Sequence, residues 1–228
     1  MDPASKRIKL TPTHVPTHVI DPHGEVIIIL RNANAPFAVW NDIVKTKPTQ
    51  PTVDQTPPSD SQNEKDADSP ERIFYIQVSA KHLMLASPVL EATLTGGWKE
   101  STNLLEKGSA EIAAENWDLE AFLILLRIIH CQNDKVPQEL SLELFAKVTV
   151  LTDYYKCKSA VLFFARSWVR YFDDLPREFS RNAILWLWVA WYFDFSLEYE
   201  PVSFVVMAKS SGSIPTLGLP IPGSVLGM

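Results

Sequence analysis

Histidines are the side chains in this sequence best suited to chemistry, and His82 is the most suggestive of the five. It follows an alternating apolar stretch and precedes a Leu-Met-Leu step, where an imidazole could act as a general base. A catalytic base needs a second group of a triad or of a metal set, and the sequence places no such group beside His82. We therefore predict that His82 is structural and that its ring makes one hydrogen bond.

The spacing of the histidines and cysteines does not indicate a metal or cofactor site either. His14, His18 and His23 lie among prolines without regularly spaced cysteine or carboxylate partners, so they specify no ligand geometry. Cys131 and Cys157 form no metal spacing, and we predict reduced, buried thiols in place of a disulfide. A phosphate-binding glycine loop, a nucleophile elbow and a zinc-protease helix are all missing from the sequence. We expect no catalytic residue, no metal and no cofactor.

Composition argues against several classes of partner. A formal charge of −6 does not support a general nucleic-acid binder, whose domain is usually basic. The apolar run over residues 183–193 is short, whereas a membrane span needs about 20 residues. We predict that this run is a buried helix, with a partly interfacial helix as the alternative. No signal region is visible at the N-terminus, so we expect an intracellular protein of the nucleus, the cytoplasm or both, without membrane contact.

Proline and polar residues divide the chain into three parts. Residues 1–23 are predicted to be a disordered arm, residues 24–200 one folded domain, and residues 201–228 an irregular tail rich in Gly and Pro, in which residues 202–208 could form one more strand or helix. Within the domain, residues 45–70 include very few apolar side chains. Such a segment cannot bury enough surface to offset the entropy lost on ordering, so we predict a disordered insertion.

Periodicity indicates the elements that surround this insertion. β-Branched and aromatic residues predict strands at 25–30, 37–40 and 72–78, and a shorter one at 109–113. From residue 79 onward, most of the sequence has the caps and apolar spacing typical of helices. A few short strands followed by a run of paired helices are typical of an α+β domain.

Several helix boundaries are marked by local signals. Ser87 is a predicted cap, with Pro88 at the first helical position, where its missing N–H costs nothing. Gly96 and the glycine after it should end that helix. Asp118 and Ser141 are predicted to open two more helices, and residues 158–172 and 180–193 to form the last two.

The stretch from His82 to Ser101 resembles the central signature of the BTB/POZ interaction domain. That signature has a histidine, a hydrophobic step, Ser-Pro and an aromatic-x-Glu-Ser ending. Residues 117–172 are similar to a group of BTB-domain proteins abundant in filamentous fungi. Leu90 and Leu94 stand where the broader family often has phenylalanine, a core change that the fold tolerates.

The resemblance implies a BTB/POZ-like α+β fold, with short N-terminal strands packed against a cluster of α-helices. Residues 45–70 would then enlarge the loop of an opening hairpin. His82, Ser87 and Pro88 would hold the signature together without doing chemistry. BTB domains commonly form homodimers, so apolar surface of the N-terminal strand and the signature helices is expected to pack against a second copy.

Two short motifs leave more specific functions open. Trp98-Lys99-Glu100 resembles the pattern with which some BTB substrate adaptors contact a cullin scaffold, through an aromatic anchor and a carboxylate at its rim. Alternatively, Trp98 covers the edge of the core and Glu100 is solvated. Lys6, Arg7 and Lys9 look like a short nuclear import signal.

The predicted function is therefore a non-enzymatic protein–protein interaction module that forms a homodimer. One alternative is a substrate-recruiting adaptor of a cullin-based ubiquitin ligase. Another is a nuclear transcriptional co-regulator that acts through protein partners.

Overall fold

A computed structural model of the chain describes residues 14–40, 72–210 and 212–226. Within these residues a four-stranded sheet accompanies a cluster of helices, and the predicted α+β class is confirmed. The strands are β1 (His18–Val19), β2 (Val26–Arg31), β3 (Phe74–Val78) and β4 (Ala110–Glu115). The helices are α1 (Ala80–Ala86), α2 (Pro88–Thr95), α3 (Lys99–Lys107), α4 (Leu119–Ile129), α5 (Leu142–Tyr154), α6 (Lys158–Trp168), α7 (Arg181–Phe193) and α8 (Ser196–Lys209). Short 3-10 turns lie at Asn133–Lys135, Val169–Tyr171 and Gly223–Val225.

The sheet has the strand order β1-β3-β2-β4, with β2 antiparallel to β3 and parallel to β4. Ile28 at the centre of β2 pairs with Ile76 on one side and Ile112 on the other, and all three are buried. In β4 the buried residues alternate with exposed ones such as Glu111. In β4, one face therefore belongs to the core and the other faces outward, whereas in β2 Ile27 is buried on the second face as well.

The strand predicted at 37–40 is wrong. These residues are irregular, and Ala38 has a φ of 46°, which no strand can accommodate. The Arg181 guanidinium donates hydrogen bonds to the carbonyls of Ala38 (2.7 Å) and Phe37 (3.0 Å), in place of a strand ladder. The insertion predicted at 45–70 falls outside the described residues.

Residues 14–23 were expected in a disordered arm, but they are part of the folded domain. The Thr17 backbone N–H donates to the Tyr75 carbonyl at 2.8 Å, and the Thr17 hydroxyl accepts the Tyr75 N–H at 3.0 Å. These bonds begin the parallel pairing of β1 with β3. The His14 ring stacks on Tyr75 with centroids 4.4 Å apart, and Ile20 is buried. The rest of the predicted arm lies outside the described residues.

Helix α7 forms the centre of the helical layer and packs between α5 and α8. The predicted burial of residues 183–193 is confirmed for every residue except Trp191, which is half-buried. Trp188 is completely buried, and its ring contacts those of Trp191 and Tyr192. A helix apolar on all sides is covered because its neighbours surround it.

The predicted domain boundary at residue 200 needs correction, since α8 runs through it to Lys209. Pro201 lies inside α8 and cannot donate to the carbonyl of Leu197, but it is exposed, so that carbonyl can meet water. Beyond α8, residues 212–226 have one 3-10 turn and no other regular element. They nevertheless contribute buried side chains to the core, and so they are a packed part of the domain.

The predicted helix starts follow the local signals closely. The side chains of Ser87, Asp118 and Ser141 each accept a backbone N–H from the first turn of the helix that they cap. Gly96 follows the last residue of α2, as predicted. These helix boundaries are confirmed.

A charged network, which the sequence did not reveal, links residues 37–38 to helices α4, α5 and α7. Asp118 caps α4 with one carboxylate oxygen and accepts Lys147 with the other, at 2.9 Å. Lys147 also binds Glu143, which in turn binds Arg181, each at 2.8 Å. Burial alone would lower the pKa of Lys147, but its bonds to Glu143 and Asp118 raise it. Each charged side chain of the network therefore contacts at least one side chain of opposite charge.

Candidate functional site

Helix α1 is the most distinctive surface element of the domain. Its seven residues carry a single charge, on Lys81. Ala80 and Leu83 are buried, whereas Leu85 points outward with 90% of its surface exposed. The exposed side of this short helix therefore consists of Lys81 and Leu85, which lie one turn apart.

The N-terminal end of α1 is held by side chains from elsewhere in the chain. The Ser79 N–H donates to Nε2 of His130 at 2.9 Å, and the Ala80 N–H donates to Oε2 of Glu25 at 3.2 Å. The Ser79 side chain makes no capping bond, so two N–H groups at the start of the helix depend on these partners.

His130, at the end of α4, is therefore a structural residue that the sequence did not indicate. Its Nδ1 lies 2.7 Å from the Leu126 carbonyl. Because Nε2 accepts the Ser79 N–H, Nδ1 must carry the proton and donate, and the ring is neutral. Burial lowers the pKa of His130, and nearby His82 lowers it further, against opposing effects of the Leu126 bond and Asp21.

His82 makes its contact by stacking. Its ring lies parallel to that of His130, with centroids 4.9 Å apart and an interplanar angle of 22°. Nδ1 of His82 is buried and has no hydrogen-bond partner. The ring hydrogen bond predicted for His82 is absent within the described ranges, and His130 makes two such bonds in its place.

The C-terminal end of α1 is held by Ser87, which is completely buried. Its hydroxyl donates to the Tyr155 carbonyl at 2.5 Å and accepts the Leu90 N–H at 3.1 Å. Pro88 occupies the first position of α2. Ser87 therefore joins the α1–α2 hairpin to the end of α5, where the Tyr155 carbonyl has no partner inside the helix.

Trp98 and Glu100 lie at the surface where α2 meets α3. Trp98 stands just before α3 with 67% of its surface exposed, and Glu100 is half-buried in the first turn. A Cβ added at Gly96 would lie 3.1 Å from the Trp98 ring and 2.4 Å from the Ala92 carbonyl, so glycine is required there. The exposure of Trp98 does not fit a side chain that covers the edge of the core.

The other predicted site residues are not brought together. Lys6, Arg7 and Lys9 fall outside the described residues. His18 contacts Phe74, and His23 is exposed. Across residues 14–40, 72–210 and 212–226, no group of three or more His, Cys, Asp or Glu side chains could hold a metal ion.

The two cysteines differ. Cys157 is buried, and burial raises the pKa of its thiol to about 12, so the thiol is inert. Cys131 is exposed, so its predicted burial is wrong. The residue lies in a left-handed turn just after α4, with a φ of 56°.

No protein-family model matches the chain, and no curated protein is significantly similar to it. In the part of the chain that the structure describes, no helix combines the length and apolar character that crossing a membrane requires.

Replacing Ser87 with alanine should destabilise the domain by about 2–4 kcal/mol. The change removes a helix cap, worth about 1 kcal/mol, and leaves the buried Tyr155 carbonyl unpaired, at about 1–3 kcal/mol. Urea unfolding would measure the difference. Ser141→Ala is the matched control, because Ser141 is an exposed cap and should lose only the capping bond. Equal losses in both variants would contradict the role of the Tyr155 contact.

The stability of the domain should fall as the pH drops below 6.5, the ordinary pKa of histidine. The folded-state pKa of His130 is lowered, so between that pKa and 6.5 the unfolded chain binds more protons. This one residue can contribute a slope of at most about 1.4 kcal/mol per pH unit. Below the folded-state pKa its contribution becomes constant.

Urea unfolding of the wild type and of His130→Gln between about pH 5 and pH 7 would test this. The substitution should flatten the pH dependence, and His23→Gln, at an exposed histidine, is the control for the loss of an imidazole. If His130→Gln retains the full slope of the wild type, the assigned role of His130 is wrong.

Proposed function

We propose that this chain is a non-enzymatic protein-interaction module of the BTB/POZ type, which associates with a second copy of itself through α1. The observation that carries the proposal is the outward face of α1, where Leu85 is almost fully exposed on a helix with one charge. Burying such a leucine contributes about 1.5–3 kcal/mol, and a twofold interface contains it twice.

The order of the elements supports the family part of the proposal. A strand leads into a two-helix hairpin around Ser87 and Pro88, a further strand returns beside β2, and paired helices follow. This is the order that the resemblance of the signature implies. Leu90 and Leu94, which stand where the family often has phenylalanine, are both buried, as core positions of this fold are expected to be.

The edge of the sheet extends the same surface. Strand β1 lies at the edge, paired with β3, and β3 leads within two residues into α1. Val15 and Val19, at this edge, are exposed. A stable interface buries about 1,600 Å² in total, more than one short helix offers, so the proposed contact includes both α1 and β1.

Leu85→Glu should convert the dimer to a monomer, or weaken it at least about tenfold, because each subunit would then bury an unpaired carboxylate in the interface. Size-exclusion chromatography with light scattering would measure the mass. Leu197→Glu is the matched control, since Leu197 is 86% exposed on α8 and should leave the dimer intact. A wild-type protein that is strictly monomeric at tens of micromolar would exclude dimerisation. If only Leu197→Glu abolishes the dimer, the interface lies on α8 and not on α1.

A second candidate function is recruitment of a substrate to a cullin-based ubiquitin ligase. The observation in its favour is the surface position of Trp98 beside half-buried Glu100 at the start of α3. An exposed aromatic ring of this kind can serve as the anchor of an interface. The nuclear co-regulator alternative depends on Lys6, Arg7 and Lys9, and it stays a prediction from the sequence.

If the cullin hypothesis holds, purified wild-type protein should retain a cullin in a pull-down, and Trp98→Ala and Glu100→Lys should each reduce recovery at least about tenfold. Leu105→Ala controls for loss of apolar surface on the same helix, because Leu105 is 85% exposed. Failure of the wild type to retain any cullin would remove this function and leave self-association untouched.

A further inference from the structure

Strand β4 forms one edge of the sheet, and β2 is its only neighbour among the described strands. The two strands are parallel: the Ala110 N–H donates to the Glu25 carbonyl and the Asn116 N–H to the Arg31 carbonyl, each at 3.0 Å. In this pattern the N–H and C=O groups of every second residue of β4 bond to β2. The N–H and C=O groups that point away from β2 therefore belong to Glu111, Ala113 and Glu115.

These three residues, called here the open edge, have unpaired backbone groups. None of their N–H and C=O groups forms a hydrogen bond with another described residue. All three residues are exposed, so water can reach this side of the strand. A row of unpaired N–H and C=O groups at a sheet edge can bind a further strand, which then extends the sheet.

The side chains of the open edge restrict which strand can bind. Ile112 is buried on the core face of β4, whereas Glu111 and Glu115 project from the outer face. Neither glutamate forms an ion pair with another described residue. If β4 paired antiparallel with β4 of a second copy about Ala113, Glu111 of each copy would lie opposite Glu115 of the other. Like charges opposite each other destabilise a strand pair, so a second copy does not fit this edge.

We infer that the open edge binds an extended segment of a partner protein that carries basic side chains four residues apart. Antiparallel pairing is slightly more stable than parallel pairing, and it places the two basic side chains opposite Glu111 and Glu115. The residue midway between them lies opposite Ala113. Its two neighbours face the same side of the sheet as Ile112, so they are expected to be apolar.

In this pairing the backbone hydrogen bonds supply affinity, and the two ion pairs select a basic strand over a neutral or acidic one. The same glutamates protect the edge against uncharged strands, since charged side chains are a common defence of sheet edges. Strand β4 lies at the opposite edge of the sheet from β1. The inference therefore does not depend on the proposed dimer.

A synthetic peptide, Thr-Lys-Val-Thr-Val-Lys-Thr, has the required spacing and serves as the probe. It is labelled with a fluorophore, and its binding to the full-length protein is followed by anisotropy. Methylation of the backbone nitrogen of its central threonine removes an N–H that faces β4, and should weaken binding at least about tenfold. Methylation of the first valine, whose N–H faces away from β4, is the matched control and should change the affinity less than about twofold.

Charge reversal tests the selection of a basic strand. Glu111→Lys combined with Glu115→Lys should weaken binding at least about tenfold, and should favour a peptide with glutamates in place of its two lysines. Glu139→Lys combined with Glu200→Lys changes the net charge equally at exposed residues outside the sheet. This control should retain the affinity of the wild type at physiological salt, where distant charges are screened.

Three outcomes would overturn the inference. The wild-type protein could fail to bind the peptide at concentrations up to about 1 mM. The two methylated peptides could bind equally well, which would exclude pairing of backbones. The two charge-reversed proteins could lose affinity equally, which would show a general attraction to an acidic protein. The methylated peptides are tested on the wild type, so this comparison does not depend on the folding of a variant.

Discussion

The hydrogen bond between the Ser87 hydroxyl and the Tyr155 carbonyl joins the helical hairpin to the layer behind it, and the exposed surface of α1 depends on it. Seven residues are too few for a stable helix in water, so α1 must be held by its surroundings. His130 does so at one end and Ser87 at the other. His130 and Tyr155 lie at the C-terminal ends of the longer helices α4 and α5. The position of α1 therefore depends on the packing of these two helices.

Local signals in the sequence predicted the helix boundaries well, for a physical reason. A serine or aspartate cap satisfies N–H groups only two or three residues away, as Ser87, Asp118 and Ser141 do. The identity of a strand's partner is a different matter. Strand β2 pairs with β3, which follows more than 40 residues later in the sequence. No local feature showed that the carbonyls of residues 37 and 38 would accept hydrogen bonds from Arg181 and not from a neighbouring strand.

Long-range contacts also account for the residues that were missed in the candidate site. Thr17 is structured because Tyr75 lies opposite, and His130 became visible as an anchor only when the fold brought it to Ser79. An irregular tail was predicted from residue 201, yet α8 continues to Lys209 with Pro201 on its exposed side. The sequence left open whether Trp98 is exposed or covers the edge of the core, because its exposure depends on how α2 packs against α3.

All seven tryptophans lie in the described residues, and Trp98 is the only one that is exposed. Trp168, Trp186 and Trp188 are buried among other aromatic rings. Buried indoles emit at shorter wavelengths and resist soluble quenchers, whereas an indole in water emits at longer wavelengths and is readily quenched. Trp98 should therefore contribute most to the long-wavelength edge of the intrinsic fluorescence, ahead of the half-buried Trp40, Trp117 and Trp191, and so provides an optical reporter of the junction of α2 and α3 without any added label.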